Sequence, residues 1–242
     1  MNVFLEISIV AFLVIVQSVF GVGLLLFGTP SFLLLGYDFA NTINILIPVS
    51  ILISFLQFLK SNVKNKKFIN EYNLYCLPFL IIFLTLALKF GNLIDFKLFV
   101  SILLIFSSVL ILNKNKFSSF QKIFFKFKKI ILIGIGSVHG LTNMGGGFLS
   151  IYSVLISKNI KEVSRYYISY GYLIMGLIQY ILVLFLSYDL INFSKLYYSL
   201  IALIIYFPSQ NIFKNINDIK FSKYINIIAL FYGLTIILSY LN

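Results

Sequence analysis

Residues 130–157 read IILIGIGSVHGLTNMGGGFLSIYSVLIS, an apolar run of 28 residues with a glycine-rich segment in its middle. A straight helix of this length would be about 42 Å long at 1.5 Å per residue, whereas the hydrocarbon core of a bilayer is about 30 Å thick. The triplet Gly145-Gly146-Gly147 also disfavours a continuous helix. The stretch therefore predicts either one span with an unwound middle or a re-entrant hairpin of two half-helices.

A second run of the same kind lies near the start of the chain. Residues 5–36 form a stretch of 32 residues that contains Gly21-Val22-Gly23 and Gly28-Thr29-Pro30. As a straight helix it would be about 48 Å long, and glycine and proline again predict interruptions. The same two geometries, a broken span or a hairpin, are therefore open for this run.

The composition of the chain excludes a water-soluble fold. Of its 242 residues, 60% are hydrophobic and 11% are charged, and the mean hydropathy is +1.01. Soluble domains are nearer half apolar and a quarter charged. Six further runs each have the length of one membrane span, which takes about 20 residues: residues 41–59, 73–88, 95–112, 166–186, 196–213 and 224–241. The predicted fold class is an all-α integral membrane protein.

The basic residues predict the topology. A net charge of +12 would suggest nucleic acid in a soluble protein, but basic loops beside apolar spans favour the cytoplasmic face of a membrane instead. If both long runs crossed fully, 11 basic residues would lie inside and 8 outside; if both are hairpins, 16 lie inside and 3 outside. We therefore predict two hairpins, a multi-pass protein of the plasma membrane and both termini outside the cytoplasm, although one hairpin with one crossing stays open.

An internal repeat is also predicted. Ser18-Val19-Phe20-Gly21 resembles Ser137-Val138-His139-Gly140 at an offset of 119 residues, and each run is followed by a span with polar residues that include Gln57 and Gln179. The first repeat takes residues 1–112, a basic cytoplasmic linker 113–129, and the second repeat 130–242. A hairpin with three spans crosses the membrane an odd number of times, so the second copy must be inverted. Inverted repeats with broken helices are typical of secondary transporters.

The breaks are the candidate substrate-binding site. A half-helix that starts inside the membrane presents free N–H groups and a positive dipole end, which suit an anion. His139 and Arg165 are the only histidine and the only arginine, and a guanidinium pairs with oxyanions through two parallel hydrogen bonds. Close packing by glycine, a structural histidine and a cytoplasmic anchor arginine are the open alternatives. The candidate residues are Gly21, Gly23, Gly28, Thr29, His139, Thr142, Asn143, Gly145, Gly146, Gly147 and Arg165.

The two glycine-rich segments also carry a family resemblance. Residues 140–147, GLTNMGGG, resemble the glycine-rich segment of the TauE/SafE family of sulfite and sulfonate exporters, and Gly21-Val22-Gly23 with Gly28-Thr29-Pro30 resembles its partner segment. The resemblance implies transport of small, often sulfur-containing anions. The chain departs from the family in having no proline in residues 148–155 and in having Pro208-Ser209-Gln210-Asn211 where a glycine-rich pattern is common.

These observations together predict a secondary transporter that exports small anions such as sulfite or an organosulfonate. With a negative cell interior, each negative charge that leaves gains about 2.3 kcal/mol per 100 mV. The expected partners are the anion and the lipid bilayer, without nucleic acid, and a homo-oligomer stays open. We expect no cofactor and no metal, since Cys76 is the only cysteine and His139 the only histidine. An anion channel and a membrane-embedded enzyme are the alternatives; the enzyme would need catalytic carboxylates or a nucleophile with its base.

Overall fold

The computed structural model describes residues 3–90, 101–102, 105, 109, 126–158, 160–186 and 193–241, and these residues are all-helical. Most of the predicted span 95–112 and linker residues 113–125 lie outside the described residues. The helices are α1 Val3–Phe20, α2 Leu24–Leu34, α3 Phe39–Leu59, α4 Lys66–Tyr75, α5 Leu77–Phe90, α6 Lys128–Thr142, α7 Gly146–Ile156, α8 Lys161–Leu186, α9 Tyr197–Asn215 and α10 Asp218–Leu241. A short 3₁₀ helix, Phe193–Leu196, precedes α9.

Four stretches are long and apolar enough to cross a membrane: Val3–Phe20, Asn41–Leu59, Lys66–Phe90 and Lys161–Leu186. This confirms the predicted all-helical fold and is consistent with the prediction of membrane-spanning helices. The predicted span 73–88 is too short, because the third stretch already begins with the basic end of α4. Cys76 lies between α4 and α5 and is buried, as expected for a core residue.

Each long run is broken once, by three residues: 21–23 in the first and 143–145 in the second. The predicted interruption at Gly28-Thr29-Pro30 is wrong, because these residues lie inside α2. Likewise His139 and Gly140 lie inside α6, so the second break begins only at Asn143. Pro30 is accommodated inside α2 without ending the helix.

The chain reverses its direction at both breaks. A Cβ atom on Gly23 would lie 2.9 Å from Val16 Cγ1, and one on Gly28 would lie 3.1 Å from Leu13 Cδ1. Later residues of α2 therefore face earlier residues of α1. In the second half, a Cβ atom on Gly145 would lie 2.7 Å from the carbonyl oxygen of Ile135, ten residues back. Backbone atoms approach closely at Gly23 and Gly145, and leucine side chains do so at Gly28, so each position favours glycine.

Equivalent helix boundaries in the two halves differ by 122 residues. The breaks begin at 21 and 143, α2 and α7 begin at 24 and 146, and α3 and α8 begin at 39 and 161. The four described residues with left-handed backbone follow the same offset, since Gly21 pairs with Asn143 and Gly36 with Lys158. The sequence similarity at offset 119 is therefore three residues out of register. By the structure, the position equivalent to His139 is Gln17 rather than Phe20.

Helices α3 and α8 occupy the centre of the protein and run antiparallel. Phe58, at the end of α3, stacks on Tyr166 at the start of α8, with 5.5 Å between ring centroids. Further along, a Cβ atom on Gly176 of α8 would meet the Ile51 side chain of α3. The first helix of each half packs against a helix of the other half, α1 against α9 and α6 against α5. This interlocking brings the two breaks into the interior.

Candidate functional site

Gln17 organises the first break. Its Oε1 accepts a hydrogen bond from the N–H of Leu24, the first residue of α2, at 3.1 Å. Its Nε2 donates to the hydroxyls of Ser50 and Ser54 at 3.0 and 3.1 Å. The side chain thus satisfies one of the free N–H groups at the start of a buried helix, which would otherwise cost several kcal/mol in hydrocarbon. Gln17 was not among the site residues predicted from the sequence, although an amide inside an apolar run is a detectable signal.

Gln57 satisfies the other side of the same break. Its Nε2 donates to the carbonyl oxygens of Gln17 and Ser18, at 2.7 and 3.1 Å, where α1 ends. Gln57 therefore supplies donors to the free carbonyl groups of a helix C-terminus. Both glutamines are buried. Two uncharged side chains, Gln17 and Gln57, thus satisfy backbone groups on both sides of the first break.

The second break contains a chain of buried polar side chains that joins the two halves. His139 Nε2 contacts Gln179 Oε1, Gln179 Nε2 donates to Asn143 Oδ1, and each distance is 3.1 Å. Asn143 Nδ2 then donates to Thr29 Oγ1 of α2, also at 3.1 Å. Gln179 Oε1 can only accept, so His139 carries its proton on Nε2 and leaves Nδ1 as an acceptor. His139 Nδ1 has no hydrogen-bond partner in this arrangement.

The residues on either side of Asn143 are held by local hydrogen bonds and by close packing. Thr142 Oγ1 donates to the Val138 carbonyl at 2.7 Å and accepts from the Met144 N–H at 3.2 Å. A Cβ atom on Gly146 would overlap the hydroxyl of Tyr172, so this glycine makes room for a tyrosine at the start of α7. Gly147 donates its N–H to the Met144 carbonyl at 3.2 Å. Close packing thus accounts for Gly145 and Gly146, while the Tyr172 hydroxyl is buried without a partner.

Arg165 lies at the first break. Only 8% of its surface is exposed, and its Cγ would lie 3.4 Å from a Cβ atom on Gly21. Nη2 donates to Gln210 Oε1 at 2.7 Å, and the guanidinium lies 3.8 Å from the centroid of the Phe213 ring. Nη1 is buried and makes no hydrogen bond, although the Arg165 side chain also interacts with Tyr206. None of the ion pairs found among the described residues involves Arg165.

A pocket of about 160 Å³ adjoins the guanidinium. It is formed between the end of α3, the loop after it, the start of α8 and the end of α9. Its charged residues are Lys60, Glu162 and Arg165, so the pocket is cationic overall. The polar side chains at the second break, by contrast, are neutral. The residues that line the pocket are Gln57, Lys60, Ser61, Asn62, Val63, Glu162, Arg165, Tyr166 and Phe213.

The structure thus divides the predicted site residues into three groups. Thr29, Asn143 and His139 meet at the second break: Asn143 bonds Thr29 directly, and Gln179 links Asn143 to His139. Gly21 and Arg165 meet at the first break. The third group consists of residues that shape the backbone around the breaks: Gly23, Gly28, Thr142, Gly145, Gly146 and Gly147.

Comparisons with protein-family models, with curated proteins and with solved structures found no match for this chain. Within the described residues, no group of three or more histidine, cysteine, aspartate or glutamate side chains is placed to hold a metal ion. The functional interpretation therefore depends on the chemistry of the two breaks and of Arg165.

Proposed function

We propose that the protein is a secondary transporter that exports small anions, and Arg165 is the observation that carries the proposal. A charged group inside a membrane protein is expensive unless it is paired. Arg165 is buried, has one guanidinium nitrogen unpaired and lies beside a pocket. An oxyanion bound at Nη1 would supply the missing acceptor and neutralise the charge. Guanidinium groups bind sulfonate, sulfite or carboxylate oxygens well through such charge-assisted hydrogen bonds.

The arrangement of the halves supports alternating access. We infer that they are inverted copies, because α3 and α8 occupy equivalent positions and run antiparallel. In this topology both broken runs are re-entrant hairpins and the loop with Lys60 is cytoplasmic. The first break lies near that face, beside Arg165 in the second turn of α8. The second break lies further along α8, beside Gln179, and so nearer the outer face.

A route for the anion follows from these positions. The anion enters the cationic pocket from the cytoplasm and binds Arg165 at the first break. It then passes towards the neutral donors Asn143 and Thr29, and the membrane potential favours its release outside by about 2.3 kcal/mol per charge and 100 mV. Sulfite, organosulfonates and small carboxylates are the candidate substrates, in keeping with the TauE/SafE-like segments.

Efflux from proteoliposomes under an imposed potential tests the proposal. Preloaded sulfite, organosulfonates and small carboxylates are each followed with the unmodified protein, Arg165→Gln and Arg165→Lys. We expect Arg165→Gln to lower the efflux of the substrate by about tenfold or more, because a charged hydrogen bond contributes about 1.5–3 kcal/mol. Arg165→Lys keeps the charge and should retain part of the efflux. Lys66→Gln removes one exposed positive charge from the same face and is the matched control.

The outcome also separates the alternatives. Absence of flux for every anion tested would contradict the transporter. Flux that does not saturate, together with single-channel currents, would favour an anion channel. Disappearance of an anion without its appearance outside would favour an enzyme. Equal efflux from Arg165→Gln and the unmodified protein would remove Arg165 from the site.

A further inference from the structure

Glu6 is an enclosed carboxylate at the start of α1. Only 4% of its surface is exposed, although by sequence it lies near the end of a span. Oε2 accepts hydrogen bonds from Lys195 Nζ at 2.8 Å and from the Tyr198 hydroxyl at 2.5 Å. Oε1 accepts from the Tyr37 hydroxyl at 2.5 Å. Burial, followed by the hydrogen bond to the Glu6 carboxylate, raises the pKa of Tyr37, which therefore stays a donor.

These contacts tie three parts of the chain together. Glu6 belongs to α1, Tyr37 to the connection between α2 and α3, and Lys195 and Tyr198 to the 3₁₀ helix and the start of α9. The first hairpin and the second half are therefore joined at this face. A satisfied buried ion pair is costly to leave half-broken, because the remaining charge has no partner. The cluster can thus hold the two parts in one defined position.

A second ion pair occupies the equivalent place in the other half. Lys128, the first residue of α6, donates to both carboxylate oxygens of Glu71 at 2.7 and 2.8 Å. Glu6 and Lys128 are 122 residues apart, so they hold the same position with opposite charge. Their partners also correspond approximately, because Lys195 lies just before α9 and Glu71 lies in α4, just before α5. Each pair joins the first helix of one half to the other half.

The two ion pairs differ in how deeply their side chains are buried. The side chains of Lys195 and Glu6 are 25% and 5% exposed, whereas those of Lys128 and Glu71 are 30% and 23% exposed. A pocket of about 180 Å³ is lined by Glu71 and Lys128 themselves. The Arg165 pocket, with Lys60, lies on this same basic face by the charge-based topology. The Glu6–Lys195 pair is thus more deeply buried than the Glu71–Lys128 pair, although both are formed.

We propose that the Glu6–Lys195 and Glu71–Lys128 ion pairs are the outer and inner gates of the protein, and that they open alternately as the hairpins move against the helices of the other half. The proposal rests on the transport function inferred above and on the inverted topology. Its physical basis is that a packed interface with two discrete arrangements can be biased by a few charge contacts. In the present state both ion pairs are formed, and the inner pair is the less deeply buried of the two.

Side-specific labelling of single cysteines tests the gates directly. Val10→Cys places a thiol one turn after Glu6 in a fully buried position, and Ser61→Cys places a thiol in the Arg165 pocket. In reconstituted protein, Glu6→Gln should raise labelling of the Val10→Cys thiol by an impermeant maleimide from the outer face by about tenfold, because one charge-assisted cluster is lost. Glu71→Gln should act in the opposite direction, lowering that labelling and raising labelling of the Ser61→Cys thiol from the inner face.

Three controls separate gating from simple damage. Cys76 is buried and gives the background labelling. Asp218→Asn removes an exposed carboxylate that belongs to neither pair and should change neither signal. The exchange Glu6→Lys with Lys195→Glu rebuilds the pair with reversed charges and should restore low outer labelling. If Glu6→Gln does not fold, Tyr198→Phe removes one donor from Glu6 and should give a smaller shift in the same direction.

Unchanged outer labelling in a folded Glu6→Gln or Tyr198→Phe protein would overturn the proposal, as would equal effects of Glu6→Gln and Glu71→Gln on both thiols. The labelling needs no substrate, so it is independent of the efflux assay. Anion efflux with unchanged labelling would refute the gates and leave the transporter intact. Shifted labelling without any efflux would refute anion transport and leave two alternately opening faces.

Discussion

Four glutamines form hydrogen bonds with backbone groups or polar side chains near the breaks: Gln17, Gln57, Gln179 and Gln210. An amide offers donors and an acceptor on one side chain without a charge to bury. This explains how irregular backbone persists inside an apolar protein. It also explains the contrast at Arg165, the one guanidinium, whose Nη1 is left without a partner.

Gln17→Leu tests the role of the amide at the first break. The substitution leaves the Leu24 N–H and the hydroxyls of Ser50 and Ser54 without their partner. We expect a loss of about 1–3 kcal/mol in the free energy of unfolding, which is the usual cost of an unsatisfied buried polar group. Thermal unfolding in detergent measures it, with Ser8→Ala on the exposed side of α1 as the control. A loss no larger than that of Ser8→Ala would contradict the assigned role.

Gly146 and Tyr172 are coupled by their close contact. Gly146→Ala should destabilise the protein by about 1–3 kcal/mol, because its Cβ atom meets the Tyr172 hydroxyl and the core must shift. Tyr172→Phe removes that hydroxyl, which has no partner, and should cost little by itself. The double variant should recover part of the loss seen in Gly146→Ala. Additive losses in thermal unfolding would show that the two residues are not in contact.

At the scale of elements, α6 packs against α5 through a glycine face. A Cβ atom on Gly136 would overlap the carbonyl oxygen of Cys76, and one on Gly140 would lie 2.7 Å from that of Leu80. Small residues allow membrane helices to approach to this distance. Gly136 and Gly140 thus position α6 against α5, and neither interrupts the helix.

Gly134 and Gly136 give a matched pair of variants on the same helix. Gly134 has no atom within 4 Å of a Cβ atom, so Gly134→Ala should stabilise α6 by about 0.5–1 kcal/mol. Gly136→Ala should destabilise the protein by about 1–3 kcal/mol or more, because backbone rather than a flexible side chain must move. The two midpoints of thermal unfolding should therefore shift in opposite directions. Equal shifts would mean that α5 and α6 are further apart than described.

At the scale of the whole molecule, the proposed inverted arrangement predicts the topology of the chain. Reporters fused after Asn242 should appear outside the cytoplasm, and reporters inserted into the linker 113–129 should appear inside. The physical reason is that this orientation places 16 of the 19 basic residues on the cytoplasmic side. A cytoplasmic signal from the reporter after Asn242 would contradict the arrangement of two hairpins. Reporters after Lys64 provide the internal standard for the inner face.

Much of the fold could be predicted from local properties of the sequence. Apolar runs whose length matches the thickness of the bilayer core predict single helices, and the two runs that are longer than this predict two interruptions. The positions of the interruptions could not be predicted from glycine and proline alone. Pro30 and Gly140 lie inside helices, whereas the non-glycine residue Asn143 adopts a left-handed backbone at the second break. Which residue breaks a helix depends on what packs against it.

The sequence alone determined that the chain is helical, with helices long and apolar enough to span a membrane and with two broken apolar runs, because hydropathy and length are local properties. Only the tertiary structure decided the contacts between residues of different helices. It placed Arg165 beside Gly21, joined His139 to Thr29 through Gln179 and Asn143, and set the equivalence of the halves at 122 residues rather than 119. Such contacts join residues far apart in the chain, and periodicity and composition carry no information about those pairings.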